Sequence, residues 1–149
     1  MIYFISGHRD LSYDDFKKYY IPAIDDVALA DEDPSFVVGD CEGVDKFAMD
    51  YIAKTYPWIP MTIFHMFEYP RNTPLNLSEK ELDENSAHYE YKSIPEVCFC
   101  GGYKSDEERD AAMTERSHAD IAFIKDNRWN SGTAKNIKRR HNISNNGTK

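Results

Sequence analysis

The sequence has few cysteines and no long hydrophobic run. Its three cysteines, Cys41, Cys98 and Cys100, are an odd number without a CxxC pair, which disfavours a disulfide framework or a structural zinc site. No apolar stretch approaches the roughly 20 residues that span a bilayer, and residues 1–5 lack the basic region of a signal peptide. We therefore expect a cytoplasmic protein with reduced thiols, no membrane partner, no metal and no cofactor.

Basic residues are also scarce. The 149-residue chain carries 18 lysines and arginines against 26 acidic residues, which gives a net charge of −8. Nucleic-acid partners require basic surfaces that release counterions from phosphates, so this balance disfavours them. Four basic residues lie between Lys135 and Arg140, where the sequence predicts a solvated helix face, followed by a polar tail over residues 144–149.

Short apolar runs alternate with helical patterns along the chain. Strands are predicted at residues 2–6, 36–39, 61–67 and 119–124, and helices are predicted to begin near Tyr13, Val44, Ser105 and Gly132. This order predicts one three-layer Rossmann-like α/β domain over residues 1–143, with a mostly parallel sheet and helices on both faces.

Two segments interrupt this pattern. Pro22 is expected to divide the first helical region into two pieces, because proline cannot donate a helix hydrogen bond. Residues 68–95 carry three prolines and many charges, which indicates an insertion with a short helix over 78–91. The insertion is compatible with a cover over the binding edge and equally with a peripheral loop.

Three glycine-containing turns follow predicted strands, where parallel sheets bind ligands. They are Ser6-Gly7-His8-Arg9, the stretch from Gly39 to Asp45, and Asn130-Ser131-Gly132-Thr133. Glycine permits close backbone approach, arginine offers paired donors, and helix amino ends attract anions. The turns predict a site for a nucleotide or phosphorylated nucleoside, with these ligand-binding residues: Ser6, Gly7, His8, Arg9, Gly39, Gly43, Asp45, Ser131, Gly132, Thr133 and Asn136.

Each turn also has a structural explanation. Arg9 is equally consistent with an ion pair to a surface carboxylate, and His8 with a packing role. Asp45 is as consistent with a helix cap as with a contact to ribose. Neither GxGxxG nor GxxxxGK[ST] occurs, so a standard dinucleotide site or a Walker ATPase is not indicated. If Gly43 allows close approach of a ligand, Gly43→Val should weaken binding more than folding.

The order of these motifs resembles that of the SLOG superfamily, a Rossmann-like group that includes DprA-type DNA-processing proteins, LOG phosphoribohydrolases and YpsA-like proteins. Residues 6–9 resemble the first turn of YpsA-like members, residues 39–45 the G…GVD turn, and residues 131–133 the Gly-Thr phosphate turn. Residues 108–113 and 117–122 bear a more distant likeness to nucleoside 2-deoxyribosyltransferases. The resemblance implies a Rossmann-like fold and a nucleotide or nucleoside ligand.

One position departs from the enzymes of these groups. A glutamate follows their glycine turn and serves the glycosidic chemistry, whereas this chain has Asn136. Cleavage of an N-glycosidic bond develops positive charge on the sugar, which asparagine cannot balance. We therefore expect ligand binding or sensing without turnover. The alternative is an N-glycosidase or deoxyribosyltransferase in which Asp40, Asp45 or Asp110 replaces the glutamate, and a homo-oligomer is compatible with either function.

Overall fold

Strand formation follows the short apolar runs of the chain. In the computed structural model, which describes residues 1–74 and 96–147, the strands are β1 (Ile2–Ser6), β2 (Ser35–Val38), β3 (Met61–Met66), β4 (Val97–Tyr103) and β5 (Ala119–Ala122). They form one sheet in the order β4-β3-β2-β1-β5, and all four pairings are parallel. The predicted Rossmann-like α/β fold is confirmed.

The helices begin close to the predicted residues. They are α1 (Tyr13–Asp15), α2 (Ile21–Ala30), α3 (Val44–Thr55), α4 (Asp106–Arg116) and α5 (Gly132–Gly147). Ser105 caps α4 by accepting a hydrogen bond from the Glu108 amide at 3.1 Å. The last helix extends to Gly147, into the stretch for which the sequence predicts a polar tail.

A π-helical turn, Phe16–Tyr20, joins α1 to α2. Pro22 has no amide hydrogen, and the Ile21 amide donates to the Phe16 carbonyl five residues back. Pro22 therefore stands in the first turn of α2, and the π-helical turn before it connects the two α-helical pieces of this region. Both Phe16 and Tyr20 are buried, and their rings stack with centroids 5.6 Å apart.

Successive side chains of β1 point to opposite faces of the sheet and pack in two separate core clusters. Tyr3 and Ile5 pack in the larger cluster with α2 and α3, whereas Phe4 packs in the smaller cluster with Met113 of α4. Successive strand residues point to opposite faces, so Ser6 shares the face of Phe4. That face is the one covered by α4.

The sheet reverses its direction of growth at β1. The chain adds β2, β3 and β4 on one side of β1 and then returns to place β5 on the other side. Ligands of open α/β sheets bind beyond the carboxyl ends of strands at such a reversal. Here the buried Tyr20 hydroxyl donates to the Ser6 carbonyl at 2.8 Å and accepts from the Phe123 amide at 3.1 Å, which links the ends of β1 and β5.

Only the first part of the predicted insertion, residues 68–74, belongs to the described residues, and the helix predicted over 78–91 lies outside them. Arg71 and Asn72 lie in this first part and reach back to Asp40 after β2. Among residues 1–74 and 96–147, no helix has the length and apolar character needed to cross a membrane.

Candidate functional site

A cavity of about 470 Å³ opens at the carboxyl edge of the sheet, beyond β1. The first turn contributes Ser6 through Asp10, and the third contributes Ser131, Gly132 and Thr133. The second turn contributes Cys41 and Asp45, and α4 and α5 contribute Asp110 and Asn136. The structure thus brings parts of all three turns together, but Gly39, Asp40 and Gly43 do not line the cavity.

Glycines at the first two turns permit the turns to pack against each other. A Cβ on Gly43, where φ is +73°, would lie 2.3 Å from the Arg9 carbonyl oxygen. A Cβ on Gly7 would lie 2.4 Å from a methyl group of Val44. The Val44 amide, at the amino end of α3, is directed to the His8 carbonyl at 3.4 Å. These contacts give Gly43 a packing role at the place where the sequence predicts an approach to ligand.

A buried ionic network underlies the cavity. The Arg109 guanidinium, 4% exposed, donates from Nη1 to Asp40 at 2.6 Å and from Nη2 to Asp110 at 3.0 Å. Arg71 binds the same Asp40 carboxylate through its side chain at 2.8 Å and its amide at 2.7 Å, and it reaches Asp106 at 2.8 Å. Gly39 lies against this network, because a Cβ there would be 3.1 Å from the Arg109 guanidinium.

Asp40 is committed to this network. Burial would raise its pKa, but hydrogen bonds from Arg71 and the charges of Arg71 and Arg109 hold the pKa below the usual aspartate value. Both carboxylate oxygens accept hydrogen bonds, and the residue is fully buried outside the cavity lining. Its position favours a structural role over the catalytic one considered from the sequence.

Asp45 behaves differently, because its side chain has one hydrogen bond among the described residues and lines the cavity. Its Oδ2 accepts from the Cys41 amide at 3.1 Å, and no helix amide of α3 is capped by its side chain. Burial raises the pKa of Asp45 to about 7, although the Arg109 charge and the Cys41 hydrogen bond act in the opposite direction. The carboxyl therefore changes its charge near neutral pH.

This raised pKa predicts a pH-dependent stability. Between the ordinary aspartate pKa of 3.8 and about 7, the folded protein binds more protons at Asp45 than the unfolded chain does. Its contribution to stability is complete below pH 4 and is lost as the pH rises to about 7. Asp45→Asn removes this titrating group, so the free energy of unfolding should fall less steeply between pH 4 and 7. The difference in slope should correspond to about one proton, and urea denaturation at several pH values measures it.

Asp14→Asn is the matched control for that measurement. The Asp14 side chain is 93% exposed, so its substitution removes one carboxyl group from the chain without touching the cavity. Equal pH profiles for the wild-type and Asp45→Asn proteins would contradict protonation of Asp45 in the folded state.

Asp110 and Asn136 form the other polar wall of the cavity. The Asn136 side-chain amide donates to Asp110 Oδ2 at 3.4 Å, and its oxygen accepts from Arg139 at 2.7 Å. Burial raises the pKa of Asp110, although Arg109 and the Asn136 hydrogen bond lower it. The fold thus places a carboxyl beside the position at which the sequence lacks a glutamate.

A buried hydroxyl lies at the cavity without a hydrogen-bond partner. Ser6 is 5% exposed, and its Oγ has no partner among the described residues. At the amino end of α5, Ser131 Oγ accepts from the Ala134 amide at 3.2 Å. The preceding helical amides, those of Gly132 and Thr133, have no acceptor within the helix. Ser6 and this helix end therefore line the same cavity.

Two arginines at the cavity, exposed Arg9 and partly exposed Arg128, have carboxylate partners that a ligand can replace. Arg9 pairs with Asp106 at 2.9 Å, and Arg128 pairs with Asp10 at 2.6 Å. Surface pairs of this kind contribute only about 0–1 kcal/mol, so an anion can replace the carboxylate at small cost. His8 is held in place, because its Nε2 accepts from the Lys125 amide at 3.0 Å, and burial lowers its pKa.

Sequence reasoning missed the arginines that organise this site: Arg71, Arg109 and Arg128. A signal existed for Arg109, which stands four residues before Met113 on one face of α4 and is buried with it. No such signal marks Arg71, whose partner Asp40 is 31 residues away.

Comparisons of the chain with protein-family models, with curated proteins and with solved structures find no match.

Within the part of the chain that the structure describes, no three histidine, cysteine or acidic side chains are grouped to hold a metal ion. Cys98 is exposed on β4 and Cys100 is partly buried.

Proposed function

We propose that the cavity binds a phosphorylated nucleoside, with its phosphate at the amino end of α5 and its sugar beside Asp45, Asp110 and Asn136. The observation that carries the proposal is that Ser6, whose buried hydroxyl has no hydrogen-bond partner among the described residues, lines the same cavity as the helix end. A phosphate oxygen supplies the acceptor that this hydroxyl lacks and matches the unpaired amides and positive dipole of the helix end. The resemblance to SLOG proteins favours the same ligand class.

The charges of the cavity are consistent with this orientation. Arg9 and Arg128 can exchange their surface carboxylates for a phosphate, whereas Arg109 is fully engaged within the protein. The carboxyl oxygens of Asp45 and Asp110 can accept from sugar hydroxyls, which carry donors but no negative charge. A volume of about 470 Å³ falls within the range of small-ligand pockets.

Ser6→Ala should weaken binding of a nucleoside 5′-monophosphate about tenfold, because a charge-assisted hydrogen bond is lost. Titration calorimetry with the four ribonucleoside monophosphates, the matching nucleosides and inorganic phosphate measures the effect and identifies the base. Ser35→Ala, at the opposite edge of the sheet, is the control variant and should leave affinity unchanged. Equal affinity of nucleoside and monophosphate, or of wild type and Ser6→Ala, would contradict the phosphate position.

A second candidate function, N-glycosidic hydrolysis or transfer, is favoured by the hydrogen bond between Asn136 and Asp110. In this reaction the Asp110 carboxylate would stabilise positive charge on the sugar, and protonated Asp45 would donate a proton to the leaving base. Water, or an acceptor base in a transfer, would then bond to the sugar carbon and return a proton to Asp45. Chromatography of each monophosphate after incubation detects any free base. Release that Asp110→Asn abolishes, with binding retained, would establish the enzyme; binding without release would leave the sensing function.

Restoring the glutamate is not expected to create activity. Asn136 is 3% exposed and hydrogen-bonded on both sides, so Asn136→Glu would add volume and a second carboxylate beside Asp110. The Asp110→Asn comparison is therefore the sharper experiment.

A further inference from the structure

A second cavity, of about 370 Å³, lies between the helical region that contains Asp15, Tyr19 and Tyr20 and the segment after β5. It shares no lining residue with the first cavity. The hydrogen bond from the Lys125 amide to His8 Nε2, 3.0 Å long, connects a residue of one lining to a residue of the other. The two cavities are therefore neighbours that are lined by different residues.

Aromatic rings form much of its wall. The Tyr19 and Phe123 ring centroids are 5.9 Å apart at an interplanar angle of 36°, and Tyr20 meets Phe123 edge-on at 5.0 Å. Tyr19 and Phe123 are 43% and 39% exposed, so the cavity leaves aromatic surface in contact with water. A planar ring would cover this surface by stacking.

The charges at this cavity disfavour an anionic ligand. Asp15 and Asp126 line it, and its one lining cation, Lys125, already pairs with Asp15 at 3.1 Å. A phosphate would lie beside these two carboxylates, whereas ring N–H or amino groups can donate hydrogen bonds to them.

We propose that this cavity is a second ligand site, which binds an unphosphorylated planar heterocycle carrying N–H donors, a free nucleobase being the simplest example. The aromatic wall supplies stacking, and Asp126 supplies an acceptor for the donors. The proposal does not depend on what the first cavity binds.

Adenine is the probe for the experiment, observed by NMR of the side-chain methyl groups. Leu11 and Ile124 line the second cavity and Met113 lines the first, so the methyl groups report the two sites separately. We expect adenine to shift the Leu11 and Ile124 signals and leave Met113 unchanged. Shifts confined to Met113, or no shifts at millimolar adenine, would overturn the proposal.

Variants test the aromatic wall directly. Tyr19→Ala and Phe123→Ala should each weaken adenine binding about tenfold, because stacking on a ring is lost. Tyr13→Ala is the matched control, since Tyr13 is 50% exposed and does not line the cavity. Tyr19 is a surface side chain, so its variant should fold normally. Unchanged adenine affinity in Tyr19→Ala, or an equal loss in Tyr13→Ala, would refute the stacking site.

Discussion

Arg109→Leu is expected to lower the free energy of unfolding by about 3–5 kcal/mol, the range seen when one partner of a buried ion pair is removed. Arg109 donates hydrogen bonds to Asp40 and Asp110, and its positive charge lowers the pKa of nearby Asp45. Its removal leaves these buried carboxyls with too little positive charge. Urea denaturation followed by circular dichroism measures the loss.

Arg9→Leu provides the comparison for that experiment. Arg9 pairs with Asp106, which also lies 3.3 Å from Arg109, but the Arg9 side chain is 60% exposed. Its substitution should cost about 0–1 kcal/mol, because water replaces an exposed partner. If the two variants were equally stable, burial would not be what makes the Arg109 contacts important.

The second large effect is expected at Gly43. A positive φ costs a residue with a side chain about 1–2 kcal/mol, and a Cβ at Gly43 would also collide with the Arg9 carbonyl, which belongs to backbone and cannot rotate away. With the cost of overpacking, Gly43→Ala should destabilise the protein by about 2–5 kcal/mol. Thermal and urea unfolding would measure this loss, and Gly43→Val should lose more.

Gly102→Ala separates the two causes. Gly102 has φ of +92°, but nothing lies within 4 Å of a Cβ built there, so only the backbone cost of about 1–2 kcal/mol is expected. From its contacts, Gly43→Ala is therefore expected to weaken folding more than binding, whereas the sequence predicted the opposite order for Gly43→Val. A stable Gly43→Ala protein with weakened monophosphate binding would contradict the packing role and indicate that Gly43 contacts the ligand.

The fold was largely predictable because its signals are local. The apolar runs predict β1, β2, β3 and β5 to within two residues at either end, and Ser105 caps the helix predicted to begin there. β4 was harder to recognise, since it carries exposed Cys98 and the pair Gly101-Gly102, where its register with β3 shifts. An edge strand without buried alternation gives little pattern to read.

The site was predictable only in outline. Turns after parallel strands must meet at one edge, so the contributions of Ser6 and Ser131 follow from topology. The roles of Asp40, Asp45 and Asp110 depend on which arginine lies beside each, and Arg109 is 69 residues from Asp40 in the chain. In a sequence with 26 acidic residues, such long-range pairings leave no local signal.

The π-helical turn has a consequence for recognising related sequences. A five-residue hydrogen-bonded repeat accommodates one residue more than an α-helical turn over the same rise, and here that turn lies between the Ser12 cap and Pro22. A homologue with an uninterrupted α-helix should therefore align only after a single-residue gap is opened between Phe16 and Tyr20. Without that gap, Tyr20, whose hydroxyl links the ends of β1 and β5, would be aligned with a residue one position away from its true counterpart.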